Sequence, residues 1–466
     1  MGWSRAEILA ATDGKLQRAG KRTRFGAVIT DSGKVKPGSV FVALKGERLD
    51  GHRFVADALH HGAACVIVHR AVRAPAKDVT IIKVRDTLRA LGDLAHFRRE
   101  QYAPKVLAIT GSNGKTTTKE MVAAILEQAS LDGQSLRGNI LKTEGNFNNL
   151  VGLPLTLLRL RKRDKVAVVE LGTNHPGEIQ RLAKIADPDL GIITSVAAAH
   201  LEGLNSLAGV AREKGALYEN IRAAGAIAVN LDDPWVSRLG ARFKGKKFTY
   251  GKRGQVRATS CHLRNAMGVD FTLSADDGRC KVRLNYLGQH NVTNALGAAA
   301  LTLGAGVRLA AVRRGLETAK PYAMRMQLDT WRGVGIINDA YNANPASMLA
   351  ALRTLAEVPC RGRKIAVLGD MFELGRQSRE EHRKLGKAAA TTKIHRLYLL
   401  GRQAAEVRQG ALGAGMAADQ VIIGKDHGDL AERLRQQVRR GDWLLVKGSR
   451  GMRMEKVLSG LRGRKV

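Results

Sequence analysis

Short apolar runs recur along the chain, and between most of them apolar positions return every three to four residues. The runs read as buried strands and the spaced stretches as amphipathic helices. Residues 39–44 form a strand-like run behind the turn Lys36-Pro37-Gly38. Residues 52–61 carry helical spacing through Phe54, Val55, Ala58 and Leu59, and 64–68 are a second buried run. Pro104 breaks the helical pattern before it, which marks 101–104 as a linker. Beyond it, apolar runs at 106–110, 166–169, 190–194 and 226–229 alternate with helical stretches. Runs at 336–337, 364–368, 397–400 and 443–446 repeat the alternation, with helices expected near 347–355 and 430–438. Strands separated by helices imply a parallel sheet covered on both faces. The pattern predicts an α/β protein of three domains, at 1–103, 104–319 and 320–466. A central phosphate-loop parallel sheet is flanked by a smaller N-terminal α/β domain and a Rossmann-like C-terminal α/β domain.

The length of 466 residues agrees with about three domains. The charge is the unusual number: 77 Lys and Arg against 42 Asp and Glu, a formal net charge of +35. Such an excess first suggests nucleic acid or another anionic surface. The three segments carry +9, +12 and +14, so no basic tail is present, and aromatics at 4% are sparse for stacking on bases. No nucleic-acid partner is therefore expected. The start, Met1-Gly2-Trp3-Ser4-Arg5, has no apolar core behind its charge, so no secretory leader is expected. The cleanest apolar stretch, 294–307, is too short to span a bilayer. Cys65, Cys261, Cys280 and Cys360 form no CxxC pair, which fits reduced thiols in a cytoplasm.

The chemistry concentrates where the run 106–110 meets a helix, at Thr110-Gly111-Ser112-Asn113-Gly114-Lys115-Thr116-Thr117-Thr118. Glycines let a backbone approach a polyphosphate, the helix N-terminus adds positive partial charge, and Lys115 can neutralise the outer phosphates. The Thr116 hydroxyl can hold Mg²⁺. Ile109 stands where the common GxxxxGK[ST] pattern has glycine, which leaves a shorter GxxGKT core.

At this loop the chain resembles the Mur ligases, the ATP-dependent amide-bond ligases of peptidoglycan precursor synthesis, whose phosphate loop reads TGxNGKT. The resemblance runs over nearly the whole sequence. Asp31-Ser32, Lys36-Pro37-Gly38, the stretch from Phe41 to Lys45-Gly46 and Asp50-Gly51-His52 look like the family's uridine-diphosphate site. Asn146, Asn148 and Asn149, with Gly152 and Pro154, look like its substrate loop. Leu287 to Asn291, with Asn294, resembles the segment that meets adenine. The stretches 339–345, 369–375 and 447–452 point to the branch that adds D-alanyl-D-alanine to a UDP-N-acetylmuramoyl-tripeptide. Gly33 stands where the family has an arginine, with Lys34 as the neighbouring cation.

The resemblance implies roles residue by residue. Gly111, Ser112, Asn113, Gly114, Lys115, Thr116 and Thr117 would bind ATP, joined by Asn291, Asn294, Arg325, Asp339, Tyr341 and Asn344. Ser32, Lys45, Asn146, Asn148 and Asn149 would bind the uridine nucleotide substrate, and Lys447, Ser449 and Arg450 the D-alanyl-D-alanine. Glu170 ends an apolar strand, and at that carboxyl edge it can coordinate Mg²⁺ together with Thr116 and His200. Lys214 reads on its own as an exposed helix lysine. The resemblance makes it a carbamylated lysine, an anion able to serve the metal. Lys115, Lys214 and His200 would carry catalysis, and His175 receives no ligand role. The implied enzyme is a cytoplasmic monomer using ATP and Mg²⁺. Two other readings stay open: a Mur-type ligase with another acceptor, and a basic phosphate-loop ATPase that binds nucleic acid.

Overall fold

The computed structural model describes residues 2–46, 49–72, 78–264 and 266–463. Backbone contacts group them into two compact units. One holds Met1–Ala108, Gly138–Gly172 and Glu178–Asp189, and the other holds Ile109–Arg137, Thr173–Gly177 and Leu190–Val466.

The first unit carries a five-stranded sheet in the order Lys15–Arg18, Thr80–Lys83, Cys65–Val68, Val40–Val42 and Val28–Ile29. Its first strand runs antiparallel and the other pairs are parallel. The runs 40–42 and 65–68 are buried on both faces, as continuous apolar strands in a covered sheet must be. The helical stretch expected at 52–61 is a 3₁₀ turn, Gly51–Phe54, leading into an α-helix, Val55–His60. The long helix Thr87–Tyr102 starts on Asp86, whose side chain accepts from Leu88 and Arg89 backbone N–H, and stops with Ala103 in the left-handed region just before Pro104. Arg99 on this helix is fully buried, yet it donates to the Ala186 and Asp187 carbonyls and lies 3.2 Å from the Asp189 carboxylate. The same unit holds the order Ile140–Lys142, Val166–Glu170 and the start of Lys105–Thr110.

In the second unit the end of Lys105–Thr110 is followed in sheet order by Leu190–Ile193, Ala226–Asn230 and Lys246–Tyr250, the last three parallel. A separate antiparallel sheet, Arg257–Leu263, Val269–Ala275 and Gly278–Leu284, interrupts the α/β alternation that the sequence led us to expect. Its middle strand alternates buried Val269, Phe271 and Leu273 with half-buried Asp270, Thr272 and Ser274, the pattern of a sheet with one wet face. The apolar stretch at 294–307 belongs to the helix Gln289–Gly304, which buries ten residues between Asn291 and Thr302. Its nearly uniform hydrophobicity reflects burial on several sides. No helix among the described residues is long and apolar enough to cross a membrane.

The last sheet has the order Gln327–Trp331, Val334–Asp339, Trp443–Lys447, Lys364–Gly369, Arg396–Leu400 and Val421–Ile423. Only its first pair is antiparallel. Apolar residues fill both faces, with Ile337, Leu352, Leu368 and Leu445 in one layer and Ile336, Val367, Leu444 and Leu458 in the other.

Candidate active site

Ligand sites in open parallel sheets gather at the carboxyl ends of strands, and the second unit has one cavity that collects such ends from two sheets. Its volume is about 560 Å³. From the central sheet come the loops after Lys105–Thr110, Leu190–Ile193 and Ala226–Asn230. From the last sheet come those after Val334–Asp339, Lys364–Gly369 and Trp443–Lys447.

The phosphate loop is held from behind. Gly111 has φ +148°, and a Cβ there would sit 1.9 Å from the Thr194 hydroxyl, so only glycine fits. Ser112 N–H donates to the Ser195 carbonyl at 2.8 Å, its hydroxyl bridges the Ala197 carbonyl and N–H, and Asn113 N–H donates to the Ser195 hydroxyl. Gly114, at φ +83°, starts the helix Lys115–Leu126. Lys115 folds back on its own loop and donates to the Gly111 carbonyl at 2.6 Å. Thr116 is buried at the first turn. The loop thus aims a helix N-terminus, a lysine and backbone N–H groups into the cavity, which suits a polyphosphate.

Opposite lies a second cation. The guanidinium of Arg325 stacks 4.1 Å above the Tyr341 ring, and its Nε–H is buried without a hydrogen-bond partner. Met324 and Met326, on either side, both have left-handed backbones, so the chain is bent to present this arginine. A stacked guanidinium with an unmet N–H suits an anionic group. Asn344 starts the helix Pro345–Glu357 with a capping box, and its amide donates to the Asn113 side chain of the phosphate loop at 2.8 Å. Asn291 and Asn294 line the same cavity and bond to each other at 3.0 Å.

The residues expected at the acceptor end are more tightly engaged than their sequence suggests. Lys447 is buried, its amine 2.5 Å from Asp339 and 2.9 Å from the Asn342 carbonyl. The other Asp339 oxygen accepts the Met326 N–H at 3.0 Å. The Ser449 hydroxyl accepts Phe372 N–H at 2.8 Å. Arg450 is half exposed and paired with Glu455 at 2.8 Å.

Lys214 is fully buried, not exposed, on the helix Leu207–Glu219. Burial and the nearby Lys115 charge push its pKa well below that of an ordinary lysine, with Glu213 opposing. Glu213 itself binds the Thr173 hydroxyl and the Gly177 N–H, tying the segment 173–177 to this helix. His200 lines the cavity from a left-handed turn, its Nδ1 2.6 Å from the Glu373 carboxylate.

Within the first unit, Glu170 is buried at the end of Val166–Glu170 and accepts from Asn148 at 2.9 Å, which joins one expected metal ligand to one expected substrate residue. Asn149 caps the helix Gly152–Leu157 through the Val151 and Gly152 N–H groups, and Asn146 is exposed. Ser32 lies in a 3₁₀ turn started by Asp31, and Lys45 is exposed. Gly33 has no backbone need to be glycine, since a Cβ there meets only Asp31 at 3.5 Å, while Lys34 pairs with Asp31 at 3.3 Å. Asp50 accepts the His52 backbone N–H at 3.0 Å and holds the His52 ring, Nδ1 at 2.7 Å, and Arg70; the backbone N–H first, then the His52 ring and Arg70, lower its pKa to about 2.

Sequence reasoning placed His290 only within the adenine segment and gave no individual role to Phe372 or Glu373; all three line the cavity. The 369–375 motif was the available signal for the last two. The donors proposed for Mg²⁺ include a buried threonine hydroxyl and a buried carboxylate, hard oxygens that fit that ion. No cluster of three or more His, Cys, Asp or Glu that could hold a metal is found among the described residues.

A phosphate loop and a second α/β sheet facing one cavity mark out a nucleotide-binding enzyme. Comparison with known proteins identifies which enzymes these are. The Mur ligase catalytic domain matches residues 25–99, the middle domain 109–302 and the glutamate ligase domain 324–450. The chain belongs to the Mur ligase family, ATP-dependent ligases with a three-domain α/β fold. It is 39% identical over 462 residues to the UDP-N-acetylmuramoyl-tripeptide--D-alanyl-D-alanine ligase of Escherichia coli, covering 98% of this chain and 97% of that one. A MurF structure from Acinetobacter baumannii is 34% identical with a TM-score of 0.91, covering 100% of this chain and 99% of that one. A MurF from Thermotoga maritima in complex with ADP is 28% identical with a TM-score of 0.83, covering 94% and 97%.

Proposed function

We propose that this chain joins D-alanyl-D-alanine to a UDP-N-acetylmuramoyl-tripeptide at the expense of ATP, in the cytoplasm and as a monomer. The observation that carries the reading is the single cavity in which the phosphate loop faces Arg325, Tyr341 and Asn344 from the last sheet. Full-length identity to ligases of that name supports it.

The tripeptide carboxylate attacks the γ-phosphorus of ATP, ADP leaves, and an acyl phosphate forms. The amine of D-alanyl-D-alanine then attacks the acyl carbon, and phosphate leaves with the bond electrons. Lys115 swings from the Gly111 carbonyl to the transferring phosphoryl group, and Arg325 meets the phosphates from the other side. Asn291 and Asn294 border the adenine, with Asp339 and Tyr341 shaping the opposite wall. Thr116, Glu170 and His200 would hold Mg²⁺, which would supply charge neutralisation on the phosphates. Burial lowers the Lys214 pKa and so favours the amine form that can take up CO₂, and its carbamate would serve as a further anion for the metal. Ser32, Lys45, Asn146 and Asn148 hold the uridine nucleotide, with Asn149 shaping that loop. Arg450 and the Ser449 loop receive the acceptor carboxylate over the Lys447–Asp339 pair. Domains at 1–103, 104–319 and 320–466 bring one substrate each. Mass spectrometry of the product tests this: the tripeptide nucleotide should gain one D-alanyl-D-alanine less one water. ATP hydrolysis with both substrates present but no such product would refute it.

A further inference from the structure

The loop after Lys364–Gly369 does more than border the cavity. Glu373 has a left-handed backbone at φ +63°, and His200, opposite it, has one at φ +55°. Two non-glycine residues in that region are held there by their surroundings. Glu202 N–H bonds to the Glu373 carbonyl at 3.3 Å, and the Phe372 ring lies against Gly451, where a Cβ would meet it at 2.6 Å. The Phe372 N–H is fixed by Ser449, and Met371 N–H donates to buried His382. The loop is thus anchored on its own sheet and reaches across to the His200 turn. There the carboxylate stands 2.6 Å from Nδ1, off the hydrogen-bonding axis, so that Nδ1 is buried without an aligned partner.

A histidine that serves a metal nearly always gives its other ring N–H to a carboxylate or carbonyl, which fixes the ring and its tautomer. Here that carboxylate comes from the C-terminal sheet, while the histidine follows a strand of the central sheet. We propose that Glu373 is a positioning residue. Seated against His200 when the C-terminal sheet is docked, it orients the imidazole so that Nε2 faces the metal–nucleotide site, and so makes assembly of that site depend on docking. A small rotation of the ring completes the Nδ1–H to carboxylate bond. The inference rests on the ligase reading and on His200 serving the metal.

Mn²⁺ binding, followed by electron paramagnetic resonance with a non-hydrolysable ATP analogue present, tests it in the full chain. Glu373→Ala should weaken Mn²⁺ binding about 10- to 100-fold, with His200→Ala similar and the double variant no worse than His200→Ala alone. Glu373→Asp, which keeps the charge, should recover part of the loss. The KM for D-alanyl-D-alanine should stay within about twofold of wild type while the metal requirement rises, a split that a merely structural role would not produce. Mn²⁺ affinity in Glu373→Ala within twofold of wild type, or additive losses in the double variant, would overturn the proposal. Failure of the wild type to join the two substrates would instead overturn the ligase reading.

Discussion

Lys447 offers the sharpest separation of structural from substrate-binding work. Its amine lies between Asp339 at 2.5 Å and the Asn342 carbonyl at 2.9 Å, with the side chain 2% exposed and that of Asp339 14% exposed. Truncation in Lys447→Ala leaves a nearly buried carboxylate without its cation. Breaking such a pair from one side costs about 3–5 kcal/mol, and at about 3 °C per kcal/mol the melting temperature should fall by roughly 10 °C. Replacing both partners, Asp339→Asn with Lys447→Met, removes the uncompensated charge, so at least half of that loss should return. Thermal melts and urea unfolding of Lys447→Met, Asp339→Asn and the double variant measure the coupling directly. A Lys447→Ala protein that melts within about 2 °C of wild type, with only its KM for D-alanyl-D-alanine raised, would refute the reasoning and return the amine to the acceptor.

Three other expectations follow from the same geometry. Gly111→Ala places a Cβ 1.9 Å from the Thr194 hydroxyl on a left-handed backbone, so ATP binding measured by calorimetry should be lost, and an affinity within threefold of wild type would contradict the loop's role. Because burial lowers the Lys214 pKa and favours its amine form, activity should fall in CO₂-depleted buffer and return with bicarbonate, while Lys214→Ala should respond to neither; wild-type activity indifferent to CO₂ would count against a carbamate. The depressed pKa of Asp50 means its contribution is present above the usual carboxylate range and lost as pH falls through about 2. Asp50→Asn should therefore cost about 1 kcal/mol at pH 7 after solvent screening, and the gap from wild type should close near pH 2 in urea unfolding.

Much of this was legible in the sequence for a physical reason. Buried parallel strands such as 65–68, 166–169 and 443–446 must be apolar throughout, and a phosphate loop must place its glycines where backbone approaches backbone, as at Gly111. Pro104 and the helix end at Tyr102 coincide because proline cannot continue a helix. The antiparallel sheet at 257–284 was missed although Val269, Phe271 and Leu273 alternate with polar neighbours. Its outer strands are mostly exposed and carry little hydrophobic signal. Lys214 was misread as exposed because burial of a lysine is set by tertiary packing, which its neighbours in sequence do not report. The Glu373–His200 contact joins residues far apart in sequence, and only the sheet orders bring them together. The +35 charge remains a surface property, and the cations at the site, Lys115, Arg325 and Arg450, account for little of it.

ATP turnover by this chain is expected to be coupled to joining two specific substrates. Phosphate release by the purified chain, measured with ATP and Mg²⁺, should require UDP-N-acetylmuramoyl-tripeptide and D-alanyl-D-alanine together, with one phosphate per pentapeptide nucleotide formed. Release that proceeds without either substrate, or that is stimulated by DNA or RNA instead, would contradict it.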